Sequence, residues 1–184
     1  MTPLDALLEL LALDRLPRAG WALAGVPAPE SVAAHSLGTA LVALTLGPRV
    51  EPPLDVDRAV ALCVVHDAPE AWLTDLPRRG AQHLPAGAKA AAEASIAAEL
   101  LGALSPAANA RYDEYVAAQT PEARFARICD KLHLGLRLLG YVRAGARGLD
   151  DFVPGLRALD CRGLAPCEEL RDALLAALDA EAPS

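Results

Sequence analysis

Residues 59–72 read AVALCVVHDAPEAW. The stretch opens as an apolar run of the kind that lies inside a protein, then places His66, Asp67 and Glu70 at its end. An unpaired ionisable group is costly to bury, so such groups are normally paired or bound to a metal. Pro69 lacks an N–H and disfavours helical geometry at Ala68. One helix is therefore expected to end at about Ala68, with Pro69 as the first residue of the next. His66 and Asp67 then sit at the C-terminal end of one helix. Glu70 falls in the first turn of its successor, where the helix dipole favours an ionised carboxylate.

Partners for these groups are sought in the rest of the chain. His35 lies in the middle of an uncharged segment, and Asp130 lies in the apolar stretch FARICDKLHLGL. Together with His66 and Asp67 they make two imidazoles and two carboxylates from three helical segments. That mixed set suits one divalent metal of intermediate hardness with positions left open for water. Helical bundles build such sites from side chains projecting inward from facing helices. A single His on an apolar helix is more often a hydrogen-bonded core residue, and an adjacent His-Asp pair occurs by chance. The joint occurrence on three apolar segments is what points to a metal. Mn²⁺, Co²⁺, Fe²⁺, Ni²⁺, Zn²⁺ and Mg²⁺ all remain compatible with it.

The composition agrees with a helical host. Of 184 residues, 53% are apolar and only 4% aromatic, so Ala, Leu and Val must build the core. Ala and Leu are strong helix formers, and no run of alternating β-branched residues appears. The expected fold is all-α, a single domain over residues 1–184. The net charge is −7 and the 17 basic residues are scattered, which argues against a nucleic-acid polymer as partner. Cys63, Cys129, Cys161 and Cys167 lack metal-ligand spacing and read as structural thiols of a reducing, cytoplasmic environment. The start, MTPLDALLELLALDR, carries Asp5 and Glu9 and no basic segment, so it is not read as a signal peptide. Ser31–Pro48 has no charged residue over 18 positions, but His35, two serines, two threonines and two glycines mark a buried core helix and not a membrane span.

Helices are expected over Leu4–Leu13, Glu30–Leu46 with Ser31 near its cap, and from Asp55 or Asp57 to about Ala68. A short helix should end by Leu76, followed by helices over Ala86–Leu104 and Pro106–Ala118. Thr120 should cap a helix opened by Pro121 and running to about Val142, and Cys167–Ala180 should close the bundle. Arg15–Pro29, rich in Gly and Pro, reads as a loop.

The motif words also carry a resemblance. The order His35, His66-Asp67, Asp130 resembles the HD-domain superfamily of metal-dependent phosphohydrolases. Arg18-Ala-Gly-Trp21 followed by Pro29-Glu-Ser-Val32 and His35 is similar to the RxGW…PESV…H opening of its 5′-deoxynucleotidase branch. His66-Asp-Ala-Pro-Glu70 with Asp75-Leu-Pro77 resembles the branch's HDxxE…GD(I/L)P stretch. Thr120-Pro-Glu-Ala-Arg-Phe125 leading to Asp130-Lys131 resembles its T-x-EA-x-F…D-K segment. The likeness covers about Leu8 to Gly140, leaving residues 141–184 as a helical tail with no assigned chemistry.

The resemblance implies an HD-domain helical bundle in which His35, His66, Asp67 and Asp130 hold a divalent metal. It implies catalytic roles for Asp67 and for Glu70, the latter activating or orienting the attacking water. It further implies that Arg18 binds the phosphate, Asp75 contacts the sugar region, and Trp21 lies near the substrate. The activity implied is hydrolysis of deoxyribonucleoside 5′-monophosphates to deoxynucleoside and phosphate, and homodimers are common in the family. Alternatives are an HD phosphohydrolase of cyclic dinucleotides, dNTPs or alarmones, or a non-catalytic metal- or nucleotide-binding module. The chain departs from the family pattern at Ala34, Thr74 and His133, where an acidic residue, Gly and Glu are usual. His133 shares a helix face with Asp130 and is expected on the surface or behind the ligands. His83 is expected in solvent.

Overall fold

The computed structural model describes residues 1–181. The fold is built from eleven helices among these residues: α1 (Pro3–Leu10), α2 (Ala19–Leu23), α3 (Val32–Leu46), α4 (Val56–Val65), α5 (Glu70–Leu73), α6 (Arg78–Ala81), α7 (Ala88–Leu104), α8 (Pro106–Ala117), α9 (Pro121–Arg143), α10 (Val153–Arg157) and α11 (Ala165–Glu181). No strand is present among the described residues, only an isolated bridge between Pro17 and Ser31. The architecture is all-α, as the composition requires. No helix among the described residues is long and apolar enough to cross a membrane.

Side-chain caps fix five of the eleven helix starts. The hydroxyls of Thr2, Ser31, Ser105 and Thr120 and the carboxylate of Asp55 each accept a backbone N–H three residues on. This satisfies one of the donors that a first helical turn leaves open. Pro3, Pro106 and Pro121 follow their caps at the first position, where no N–H is needed.

The central trio is α3, α4 and α9, which pack on one another, with α11 laid across α9. Phe125, Leu62, Leu132, Leu138 and Val42 fill the space between them. A smaller cluster of Ala68, Ala97, Leu101 and Tyr112 joins the α7–α8 pair to the end of α4. All four cysteines are free and buried, and His83 is exposed.

Two local readings change. α4 ends at Val65, and residues 66–69 form a tight turn in which the N–H of Ala68 bonds the carbonyl of Val65 and that of Glu70 bonds Asp67. Pro69 is therefore the cap of α5 and not its first residue. It sits at the bend, where its missing N–H costs nothing. The Arg15–Pro29 loop contains α2 and is stitched to the start of α3. The N–H of Arg18 donates to the Glu30 carbonyl at 2.9 Å, and that of Val32 to the Leu16 carbonyl at 2.9 Å. These two bonds hold Arg18 over the turn at 66–69.

Candidate active site

Three elements converge at one end of the central trio. α3 supplies His35, the turn after α4 supplies His66 and Asp67, and α9 supplies Asp130. His35 Nε2 lies 3.0 Å from Asp130 Oδ1. Asp67 Oδ2 lies 3.8 Å from His35 Nε2 and 3.2 Å from His66 Nε2. Ligand atoms of His35, His66 and Asp130 all fall within 4.8 Å of one another, and all three residues are buried. The structure thus brings together the four residues that the sequence nominated for a metal.

His66 tests whether a cation fits. Its Nδ1–H donates to the carbonyl of Cys63 at 2.7 Å. That bond fixes the tautomer and turns the Nε2 lone pair toward Asp67. Nε2 is buried without a hydrogen-bond partner among the described residues. A lone pair and a carboxylate facing each other at 3.2 Å call for positive charge between them. The electrostatics repeat the demand. Burial pulls the His66 pKa down, but the Asp67 carboxylate more than offsets it and the pKa is raised. Burial also pushes Asp67 and Asp130 up, and the surrounding cations win. His66 and Arg18 hold Asp67 below the ordinary range, and His35 and Lys131 hold Asp130 well below it. Two imidazole nitrogens and two carboxylates held ionised, gathered at one place, are a donor set that fits a divalent ion.

Glu70 and Arg18 frame the rim. Glu70 Oε2 is buried and has no hydrogen-bond partner. Burial, together with the neighbouring Asp67 and Asp75 carboxylates, pushes the Glu70 carboxyl up to about 9. Arg18 Nη1 donates to Asp67 Oδ2 at 3.0 Å and lies 3.8 Å from Glu70 Oε2. Burial would lower the guanidinium pKa, but Asp67, Asp75 and Glu70 outweigh it and keep Arg18 charged. Asp75 Oδ2 accepts the N–H of Ala19 at 2.7 Å and lies 3.8 Å from Arg18 Nε. Asp75 therefore braces the loop that carries Arg18. It follows Thr74, whose φ of 65° is a left-handed conformation that a Gly would adopt without strain.

Trp21 lies elsewhere than the sequence reading placed it. It is buried, stacked on Phe152 with centroids 4.2 Å apart and edge-on to Tyr141. Its indole N–H donates to Glu30 Oε1 at 3.0 Å. An indole buried against two aromatic rings is part of the core.

Two residues outside the expected ligand and substrate-binding sets, Glu30 and His133, join the back of the site. Glu30 is buried and also accepts from Arg137 Nε, at Oε2, at 2.8 Å. Its oxygens are taken by Trp21 and Arg137, so it anchors its neighbours and is not a spare ligand, even though Glu30, His35 and His133 form a second cluster. His133 is buried, with its Nδ1 3.0 Å from His35 Nδ1. Burial, with His35 and Arg137 nearby, pushes the His133 pKa down to about 3, so it is neutral. The signals were present in the sequence: Glu30 stands inside the Pro-Glu-Ser-Val word, and His133 lies one helical turn after Asp130.

A family model described as an HD domain matches residues 12–150. The chain belongs to the HD-domain family. Among curated relatives of this HD domain, the 5′-deoxynucleotidase hdd1 of Schizosaccharomyces pombe is 27% identical over 151 residues, covering 78% of this chain and 75% of that one. The 5′-deoxynucleotidase HDDC2 of Homo sapiens is 28% identical over 133 residues, covering 70% of this chain and 63% of the human one. A solved structure from Pyrococcus horikoshii is 31% identical with a TM-score of 0.80, covering 95% of this HD domain and 99% of that chain. A predicted metal-dependent phosphohydrolase from Magnetospirillum magnetotacticum shares the fold at a TM-score of 0.67 and 24% identity, over 97% of this chain and 90% of its own.

Proposed function

We propose that this HD domain is a metal-dependent phosphomonoesterase that releases phosphate from deoxyribonucleoside 5′-monophosphates. The observation that carries the reading is the buried meeting of His66 Nε2, without a hydrogen-bond partner, and the Asp67 carboxylate beside His35 and Asp130. The names of the curated relatives supply the substrate class.

His35, His66, Asp67 and Asp130 would hold the divalent ion. When bound, such an ion polarises a phosphoryl oxygen and makes water more acidic. The protein's own groups do the rest. Arg18 meets the phosphate with charge-assisted hydrogen bonds, and in an acidic chain it is the guanidinium aimed at the site. Asp75 holds the Arg18 loop in register through the Ala19 N–H. A cation at the ligand cluster would offset the Asp67 charge that helps push the Glu70 carboxyl up to about 9, and Glu70 Oε2, once ionised, takes the proton of the water that attacks phosphorus. The bond from phosphorus to the sugar 5′ oxygen breaks, that oxygen gains a proton, and deoxynucleoside and inorganic phosphate leave.

The domain is read as one unit over residues 1–184, of which 182–184 lie outside the described residues. It is also read as cytoplasmic, consistent with four free buried thiols. A homodimer is part of the proposal. Leu37, Leu41 and Leu44 are exposed along one side of α3, spaced to share a face. Sedimentation at micromolar concentration should show twice the monomer mass.

The deciding experiment is phosphate release from a panel of deoxy- and ribonucleoside 5′-monophosphates with each divalent metal in turn. Release from the deoxy series with at least one metal is the expected result. No release from any nucleotide with any metal would leave a non-catalytic binding module.

A further inference from the structure

His133 and Gly38 form a matched pair behind the metal ligands. Gly38 sits in the interior of α3, where Gly costs about 1 kcal/mol relative to Ala. A Cβ at this position would meet His133 Nε2 at 2.0 Å and its ring carbons at 2.4 and 2.7 Å. The imidazole of His133 thus occupies the place that any other residue at 38 would fill. From there its Nδ1 reaches His35 Nδ1 at 3.0 Å, while its Nε2 faces Glu30 Oε2 at 3.9 Å. Glu30 is pinned from both sides, by the Trp21 indole and by Arg137.

We infer that His133 is a positioning residue for the metal site, accepting the Nδ1–H of His35 so that the His35 Nε2 lone pair is free for the ion. This rests on the proposed role of His35 as a ligand. A hydrogen bond to the far nitrogen of a ligating His fixes both its tautomer and its ring plane. The polarity is consistent along the line: the Glu30 carboxylate faces the Nε2–H of His133, His133 Nδ1 accepts from His35 Nδ1–H, and His35 Nε2 points to Asp67 and Asp130. His66 uses the Cys63 carbonyl for the same task. The two imidazoles are thereby oriented by two different devices, and only the one at His35 requires a glycine, placed three residues further along α3 to admit the His133 ring.

The test measures Co²⁺ affinity by competition with a fluorescent chelator, and the ligand-field spectrum of the bound ion. The proteins are the wild type, His133→Phe, His133→Asn, Gly38→Ala and His35→Ala. Phe keeps the bulk and removes the acceptor, whereas Asn returns an acceptor oxygen near the place of Nδ1. His133→Phe and Gly38→Ala should bind Co²⁺ about 10–100-fold more weakly, the usual cost of losing such a partner. The spectrum should shift in both, and His133→Asn should recover most of the affinity. Helix content by circular dichroism identifies any variant that fails to fold, and the Phe–Asn pair decides if Gly38→Ala does.

If His133→Phe keeps wild-type affinity and spectrum while His35→Ala loses Co²⁺, the inference falls and the metal reading stands. If His133→Phe and His133→Asn lose affinity equally and both melt lower without metal, His133 is only a filler and the inference falls. A wild-type protein that binds no Co²⁺ overturns both.

Discussion

Two glutamates in this bundle have opposite surroundings. Glu114, on α8, is fully partnered. Its two oxygens accept from Arg58 Nε at 2.9 and 3.0 Å, and Oε1 also accepts from the Thr120 hydroxyl at 2.6 Å. Burial pushes the Glu114 pKa up, but Thr120 and Arg58 outweigh it and hold the carboxyl below its ordinary value. Glu70, at the rim of the site, is more deeply buried, yet its Oε2 has no hydrogen-bond partner among the described residues and its pKa is driven up to about 9. One acid ties α4 to the α8–α9 junction. The other is held in readiness at a cost in stability. The difference shows where the fold has spent its hydrogen bonds on holding itself together and where it has left them open for a ligand.

The largest effect should come from removing a carboxylate of the cluster. Asp67→Asn should lose bound metal and phosphate release together, read by metal analysis and turnover on the same sample. Retention of both would sink the site. Next is Glu70→Gln, which keeps the shape and removes the base. Turnover should drop about 10²–10⁴-fold with metal content intact. The same variant should melt higher than wild type when both are metal-free at pH 8. The sign follows from the raised pKa. Between the unfolded value of 4.5 and about 9, the folded protein holds a proton that the unfolded chain has released, so stability falls as pH rises through that window. Equal melting temperatures at pH 8 would mean that Glu70 is not held at such a cost.

Arg18→Ala should come third. A charge-assisted contact to phosphate is worth about 1.5–3 kcal/mol, so kcat/KM should fall roughly 10–100-fold, mostly through KM, with metal still bound. An unchanged KM would reduce Arg18 to a brace for Asp67. The smallest effect belongs to Glu114→Gln, which should lower the melting temperature by about 1–3 °C at pH 7 and leave turnover alone. A depressed pKa contributes stability above the ordinary carboxyl range, and this is lost as pH falls through the folded value. The gap between Glu114→Gln and wild type should therefore close toward pH 3, opposite in sense to Glu70. A gap that persists in acid would place the defect in packing.

The helices were legible because their starts carry chemistry that acts locally. Ser31, Asp55, Ser105 and Thr120 cap where they stand, whatever the rest of the chain does. The four ligand candidates were legible for a related reason, since an ionisable residue on an apolar helix needs a partner. What depended on distant contact was not legible. Trp21 is fixed between Phe152 and Tyr141, more than a hundred residues away in sequence, and no local pattern says so. Glu30 lies beside its motif neighbours in sequence but works through Arg137 on α9. The Gly38–His133 pairing spans α3 and α9, and a mid-helix Gly alone does not reveal which side chain has taken its space. The turn at 66–69 was misplaced by a few residues, because Pro69 permits either a cap or a first position and the bonds of Ala68 and Glu70 choose between them.

The central claim is that the buried meeting of four side chains is built for one cation. Crystals grown with Mn²⁺ or Co²⁺ and measured at the metal's absorption edge test it most directly. One strong anomalous peak per chain is expected, bounded by His35 Nε2, His66 Nε2 and the carboxylates of Asp67 and Asp130. Metal-loaded crystals with no peak there, or with the peak elsewhere and these four side chains still bonded to one another, would contradict it.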